Sequence, residues 1–122
     1  MERNQILKHK DISIVYSDYS DLTPDEAAKY MELSVKSITS HPPKSVYTLL
    51  NIKGMRYNTS LLKSIKEMTQ QTSPFVLATA VIGVSAITKM IVKSALKFSE
   101  RKITFLDTAE SAKDWLYKIS QE

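Results

Sequence analysis

The sequence predicts an α/β protein with a mixed, mostly parallel sheet of four to five strands and about four helices. Segments with the hydrophobic period of a strand alternate four times along the 122 residues with segments of helical period. That alternation is typical of parallel strands joined by right-handed helical crossovers. Only a short turn separates the first two strands, which favours an antiparallel hairpin at one edge of the sheet.

The composition predicts one soluble globular domain spanning residues 1–122. Hydrophobic residues make up 43% and charged residues 25% of the chain, which are ordinary values for such a domain. Cysteine is absent, so disulfides and thiolate metal sites are excluded and a reducing cytoplasm is expected. The charged amino-terminal segment lacks the apolar core of a signal peptide.

Neither charge nor hydropathy indicates a nucleic-acid or membrane protein. The net charge of +4 is a mild bias, weaker than that of dedicated nucleic-acid binders. The uncharged stretch Thr72–Thr88 contains Pro74 and several hydroxyls. A membrane-spanning helix needs about 20 mostly apolar residues, so we expect no transmembrane segment.

The first elements are a hairpin and a capped helix. Ile12, Ile14 and Tyr16 alternate as in a strand with one buried face, and residues 9–11 are the expected turn before it. Thr23 as N-cap and Glu26 three residues later form a capping box. The helix that follows has Pro24 at its first position, ends before Pro42–Pro43, and is expected to bury Ala27, Ala28, Met31, Val35 and Ile38.

Two central strands and a helix follow. The segments "SVYTLLNI" (45–52), which Gly54 ends, and "PFVLATAVI" (74–82) are apolar on both faces, as central parallel strands are. Ala78 and Ala80 are small enough for a helix to approach closely. Between the strands, a helix is expected to bury Leu61, Leu62, Ile65 and Met68.

The last third predicts helix, strand and helix. In "SAITKMIVKSALKF" (85–98), the residues expected to face inward are Ala86, Ile87, Met90, Ile91, Ala95 and Phe98. A short strand, "KITFLD", follows, and Asp107 is expected to cap the last helix. That helix presents Ala109, Ala112, Trp115, Leu116 and Ile119 to the core.

The stretch "AVIGVSAITK" (80–89) looks most like a functional motif. A phosphate-binding P-loop needs two glycines that flank four residues and precede a lysine and a hydroxyl residue, but Gly83 is the one glycine in this stretch and the only other in the chain is Gly54. The favoured interpretation is a buried strand passing through Gly83 into a helix capped by Ser85. The first N–H groups of that helix could bind an anion.

Basic residues on the same helix form the candidate binding surface. Lysines recur at steps of four with no acidic residue between Ser85 and Ser99, which suits an acidic protein, anionic lipid or a nucleic-acid backbone. The alternative is the solvated face of an amphipathic helix. The residues of this stripe are Lys89, Lys93 and Lys97, extended by Arg101 and Lys102.

No arrangement of residues predicts catalysis, a cofactor or a metal. His9 and His41 lie in separate predicted loops, and no nucleophile–base pair is indicated by spacing. Asp18 and Asp21 fit turn roles. An enzyme would instead gather Asp18, His41 or Asp107 in one cleft.

Three phrases carry a family resemblance. "DYSDLTPDEAAKYM", "AVIGVSAITKMIVKSALKFSERKITFLDT" and "AESAKDWL" resemble the small bacterial SpoIIAA-like proteins, also called STAS/SEC14-like. The likeness runs from the first strand to Leu116. It implies the fold of anti-sigma-factor antagonists, while the functions of most family members are unassigned.

The resemblance also implies a phosphorylation site. Antagonists of that superfamily are switched at a serine in a "D-S-S-G-L" phrase, which aligns with Thr59 at its aspartate and Ser60 at its serine. Leu61 and Leu62 replace the second serine and the glycine, so the match is poor. Phosphorylation of Ser60 is one hypothesis, and simple helix capping by Ser60 or Thr59 is the alternative.

The leading functional hypothesis is a non-enzymatic regulatory module that binds another protein through loops at one end of the sheet. The alternative is a carrier or sensor of a small apolar or lipid-like ligand, with weak membrane-surface or anion binding through Lys89, Lys93 and Lys97. Nucleic acid is not an expected partner, because aromatic side chains do not alternate with the basic residues. Open sheet edges make a homodimer a further alternative.

Overall fold

The computed structural model describes residues 3–95 and 101–122, apart from the side chain of Ala95. Within them, five strands lie in the order β1-β2-β3-β4-β5, with β1 antiparallel to β2 and the other pairs parallel. The predicted mixed sheet, with its antiparallel edge, is confirmed. The elements are β1 (Asn4–His9), β2 (Ile12–Asp18), α1 (Pro24–Thr39), β3 (Val46–Asn51), α2 (Thr59–Thr72), β4 (Val76–Ile82), α3 (Ala86–Ala95), β5 (Lys102–Leu106) and α4 (Ala109–Ser120).

The hairpin at the edge forms as predicted, but its turn is one residue shorter than expected, because His9 belongs to β1. The pairing of β1 with β2 runs from Asn4 opposite Ser17 to His9 opposite Ile12. Lys10 takes a positive φ of 56° in the intervening two-residue turn. Such turns match the twist of the flanking strands, so the turn sets the register of the first strand.

Helices cover both faces of the sheet unequally. On one face, α1, α2 and α3 share a core that includes Met31, Leu61 and Val92. On the other face, α4 packs Ala112 and Leu116 directly against the sheet. The expected close approach over small strand residues is confirmed, because Ala78, Ala80, Ala112 and Leu116 are all 0% exposed.

Helix α1 begins with the predicted capping box. The Thr23 N–H donates to Glu26 Oε1 at 3.0 Å, and the Glu26 N–H donates to Thr23 Oγ1 at 3.3 Å. Two core predictions are corrected, since Ala28 and Val35 are only half-buried. The residues that α1 buries are Ala27, Met31, Ser34 and Ile38.

The caps of the later helices differ from those predicted. Asn58 caps α2 by accepting the Leu61 N–H at 2.8 Å, so neither Thr59 nor Ser60 is the cap. Thr108, not Asp107, caps α4 by accepting the Ser111 N–H. In both cases the extended residue directly before the helix supplies the side-chain oxygen.

The carboxyl edge of the parallel strands is tied together by backbone hydrogen bonds between loops. The Asp21 N–H donates to Lys53 O at 2.9 Å, and the Arg56 N–H donates to Leu22 O at 3.0 Å. Gly83, with a φ of 86°, passes close to the backbone of Lys53. Each of the four described helices follows the carboxyl end of one of the parallel strands β2 to β5, so all of them begin at this edge, where ligands of open α/β sheets bind.

Candidate functional site

The helix α3 exposes two large apolar side chains that were predicted to be buried. Ile87 and Met90, three residues apart, are each 75% exposed, whereas Val92 is 4% exposed and joins the core. The prediction that Ala86, Ile87 and Met90 face inward is therefore wrong; Ile91 is half-buried. The helix is apolar on more than one side, so its hydrophobic period does not select the buried one. Phe98 and the side chain of Ala95 lie outside the described residues.

Two lysines lie beside these apolar residues. Lys89 and Lys93 are exposed, and Lys89 Nζ lies 5.5 Å from the centroid of the Phe105 ring, within range of a cation–π interaction. Lys97 lies outside the described residues. We call Ile87, Lys89, Met90 and Lys93 the α3 surface.

Arg101 does not extend that surface, contrary to the prediction. Its guanidinium donates to Thr69 O at 2.8 Å and to Thr72 Oγ1 at 2.7 Å beneath α2. Burial lowers the pKa of Arg101 to about 10, so the side chain stays charged at neutral pH. Lys102 also has another role, since its Nζ lies 2.9 Å from Glu122 Oε1.

Two backbone N–H groups at the start of α3 are satisfied by side chains of the same turn. The Ser85 N–H donates to Thr88 Oγ1 at 2.8 Å, and the Thr88 N–H donates to Ser85 Oγ at 3.2 Å. The predicted capping role of Ser85 thus agrees with the geometry. Because this exchange occupies the Thr88 amide, that N–H is not available to an anion as the structure stands.

Ser60 lies in the first turn of α2, where it is exposed together with Thr59. That turn contains no acidic residue. A phosphate on Ser60 would therefore meet the positive end of the helix dipole without a competing carboxylate. The Ser60 carbonyl accepts the hydroxyl of Ser64 at 3.2 Å.

A buried chain of hydroxyl groups lies beneath α1, and sequence reasoning missed it. Ser34 Oγ lies 2.6 Å from the Tyr19 hydroxyl, 2.9 Å from Ser17 Oγ and 2.9 Å from Asn4 Oδ1. Burial raises the pKa of Tyr19 above its usual value of 10. The chain links β1, β2, α1 and the β2–α1 loop. Its members come from distant positions, so no local sequence signal could have found it.

The potential catalytic groups do not converge. His9 Nε2 lies 2.9 Å from Asp114 Oδ1 on α4, whereas His41 Nδ1 lies 2.8 Å from Ser37 O at the end of α1. Asp18 lies 3.7 Å from Arg3 at the carboxyl edge. Over residues 3–95 and 101–122, no three acidic or histidine side chains form a metal site.

An apolar pocket beneath α1, α2 and α3 is small. Its volume is about 20 Å³, and its walls include Tyr19, Met55 and Val92. That is room for about one water, so this space does not accommodate an acyl chain. Among the described helices, none is long and apolar enough to cross a membrane.

Comparisons with known proteins bear on the fold. No protein-family model matches the chain, and no curated protein sequence matches it. The structure is similar to that of an uncharacterised protein of the DUF3478 family with a SpoIIAA-like fold from Shewanella loihica PV-4. The TM-score is 0.73 and the identity 16%, over 93% of this chain and 91% of that chain. The chain therefore has a SpoIIAA-like fold, as the resemblance implied.

Proposed function

We propose that the chain is a non-enzymatic, cytoplasmic regulatory module that binds proteins through the α3 surface. The observation that supports this most directly is the 75% exposure of both Ile87 and Met90. Large apolar side chains that lie together on a surface mark interaction sites. Lys89 and Lys93 beside them favour a partner surface that combines apolar and acidic groups.

The energetic argument rests on the two apolar side chains. Fully burying one residue of this size contributes about 1.5–3 kcal/mol, and one face of an amphipathic helix commonly supplies such anchors at positions i and i+3. The core contact of Val92 holds α3 in place, so the anchors need little ordering on binding. The separated positions of His9, His41 and Asp18 support a role without catalysis.

Regulation through Ser60 is part of the proposal. Thr59 and Ser60 are exposed on α2, which packs beside α3. Addition of a phosphate there would place negative charge on the same side of the sheet as the lysines of the α3 surface. Detection of a phosphate-sized mass increment that maps to Ser60 in protein from the source cell tests this step.

Site-specific photocrosslinking tests the proposed function. A photoreactive amino acid at position 90 is expected to crosslink the chain to a defined protein in the source cell. A matched probe at Leu33, which is 50% exposed on α1, should not give that product. Substitution of Ile87→Ser should weaken the product in the position-90 probe. Equal crosslinking from both probe positions, or none from position 90, would contradict the proposal.

A further inference from the structure

A groove between α1 and α2 is lined by apolar and acidic side chains, whereas the α3 surface combines apolar and basic side chains. Its volume is about 330 Å³, which corresponds to about ten waters. Met31, Val35 and Met68 supply apolar lining, and Glu32 and Glu67 supply a carboxylate from each helix. The lining residues include no lysine or arginine, although the whole chain carries a net charge of +4.

The α3 surface is complementary to this groove in size and in charge. Ile87 and Met90 are exposed apolar side chains of four heavy atoms each, so together they suit a space of this size. Lys93 lies one helical turn after Met90 and is exposed, where it can approach the two carboxylates. A helix that lays apolar anchors into a groove with complementary charges at the rim is a recurrent mode of recognition.

We propose that the α3 surface of one copy of this chain docks into the α1–α2 groove of a second copy. The inference rests on the proposed function, since it takes α3 as a protein-binding surface and names a second copy as the protein bound. A second copy is the proposed partner because this chain carries both of the complementary surfaces, the α3 surface and the α1–α2 groove.

The two contacts can form at the same time. The helices α1, α2 and α3 share one core on the same face of the sheet, and α2 packs against both of the others. The helices lie in the order α1, α2, α3, because each connects two neighbouring strands of the sheet. A two-fold axis that runs parallel to α2, above the helix layer and between α2 and α3, would therefore place each α3 over the groove of the other copy. Such a two-fold pairing is closed, so it gives a dimer and no filament.

The positions along the helices also agree with this pairing. Each of α1, α2 and α3 follows a strand of the parallel part of the sheet and begins at its carboxyl edge. Glu32, Glu67 and Lys93 each lie about two turns after the start of their helix. A two-fold axis parallel to the helices preserves that height, so Lys93 of one copy comes level with the carboxylates of the other.

Sedimentation velocity over a range of protein concentrations tests the inference. The wild-type chain is expected to pass from a monomer of 13.8 kDa to a dimer of twice that mass. Lys93→Glu and Glu32→Lys should each weaken dimerisation at least about tenfold, because two equivalent contacts change from attraction to repulsion. The double variant should recover to within about threefold of the wild type. Lys118→Glu, on α4 at the opposite face, is the matched control and should dimerise normally.

The outcomes separate this inference from the proposed function. A chain that stays monomeric at all concentrations, while position 90 crosslinks to a different protein, overturns the inference and leaves the proposed function intact. A dimer that tolerates Lys93→Glu and Glu32→Lys, or one that the double variant does not restore, also overturns it. All substituted side chains are exposed, and circular dichroism of each variant verifies that the fold is retained.

Discussion

Replacement of Gly83 by alanine should destabilise the protein strongly. Gly83 has a φ of 86°, and a Cβ there would lie 2.6 Å from the backbone nitrogen and 2.8 Å from the Cα of Lys53. The left-handed conformation costs an alanine about 1–2 kcal/mol, and overpacking costs about 1–3 kcal/mol. The reduced entropy of the unfolded chain offsets about 0.4–1 kcal/mol. The expected loss is about 2–4 kcal/mol in the free energy of unfolding.

The backbone of Lys53 cannot move away easily. Its carbonyl accepts the Asp21 N–H, and the preceding Ile52 N–H donates to Ile82 O at 3.0 Å. Relief of the clash would therefore disturb the hydrogen bonds that join the loop after β3 to the loop after β2 and to the end of β4. This makes the steric cost at Gly83 larger than the conformational cost alone.

Urea unfolding of Gly83→Ala and of a matched variant, Gly54→Ala, tests the reasoning. Gly54 also has a positive φ, 72°, but the nearest atoms to an added Cβ belong to the Asp21 carboxylate, which can rotate away because Asp21 is exposed. Gly54→Ala should therefore cost only about 1 kcal/mol. At an m-value of about 2 kcal/mol/M, Gly83→Ala should lower the urea midpoint by about 1–2 M. Equal losses in the two variants would refute the steric argument.

Two further predictions concern the hydroxyl chain and the start of α2. Because burial raises the pKa of Tyr19, the unfolded chain releases this proton first, so stability should fall as pH rises above about 10, by up to about 1.4 kcal/mol per pH unit. Urea midpoints from pH 9 to 11 should fall less steeply in Tyr19→Phe than in the wild type, and equal slopes would contradict the argument. Asn58→Ala should cost about 1 kcal/mol as a lost N-cap, and Ser60→Ala within about 0.5 kcal/mol. The reverse order in thermal unfolding would show that Ser60 is the cap.

Local signals in the sequence were sufficient for most of the fold. The capping box of Thr23 and Glu26 depends on residues three positions apart, so it forms as predicted. The central position of β3 and β4 follows from apolar residues on both strand faces, and Ala78 and Ala80 correctly indicated a closely packed helix. In each case the deciding contacts are near in sequence or follow from strand alternation alone.

The buried position of Arg101 could have been predicted from the sequence, although the spacing of the lysines on the preceding helix suggested an exposed position. Arg101, Ile103 and Phe105 alternate along the chain into β5, so they share one face of the sheet. Ile103 and Phe105 pack against the core beneath α2 and α3. Strand alternation thus predicts an inward Arg101, whereas continuation of the lysine spacing predicts an exposed one.

The sequence by itself determined the order of strands and helices along the chain, the mixed type of the sheet and the cap of α1. These features depend on periodicity and on side chains a few residues apart. Only the tertiary structure decided which side of α3 is exposed. Ile87, Met90, Ile91 and Val92 leave no single apolar stripe, and the position of the helix over the sheet selects Val92 for burial. The α1–α2 groove and the hydroxyl chain likewise join residues from separate elements. Such juxtapositions arise from packing between elements, which no local pattern encodes.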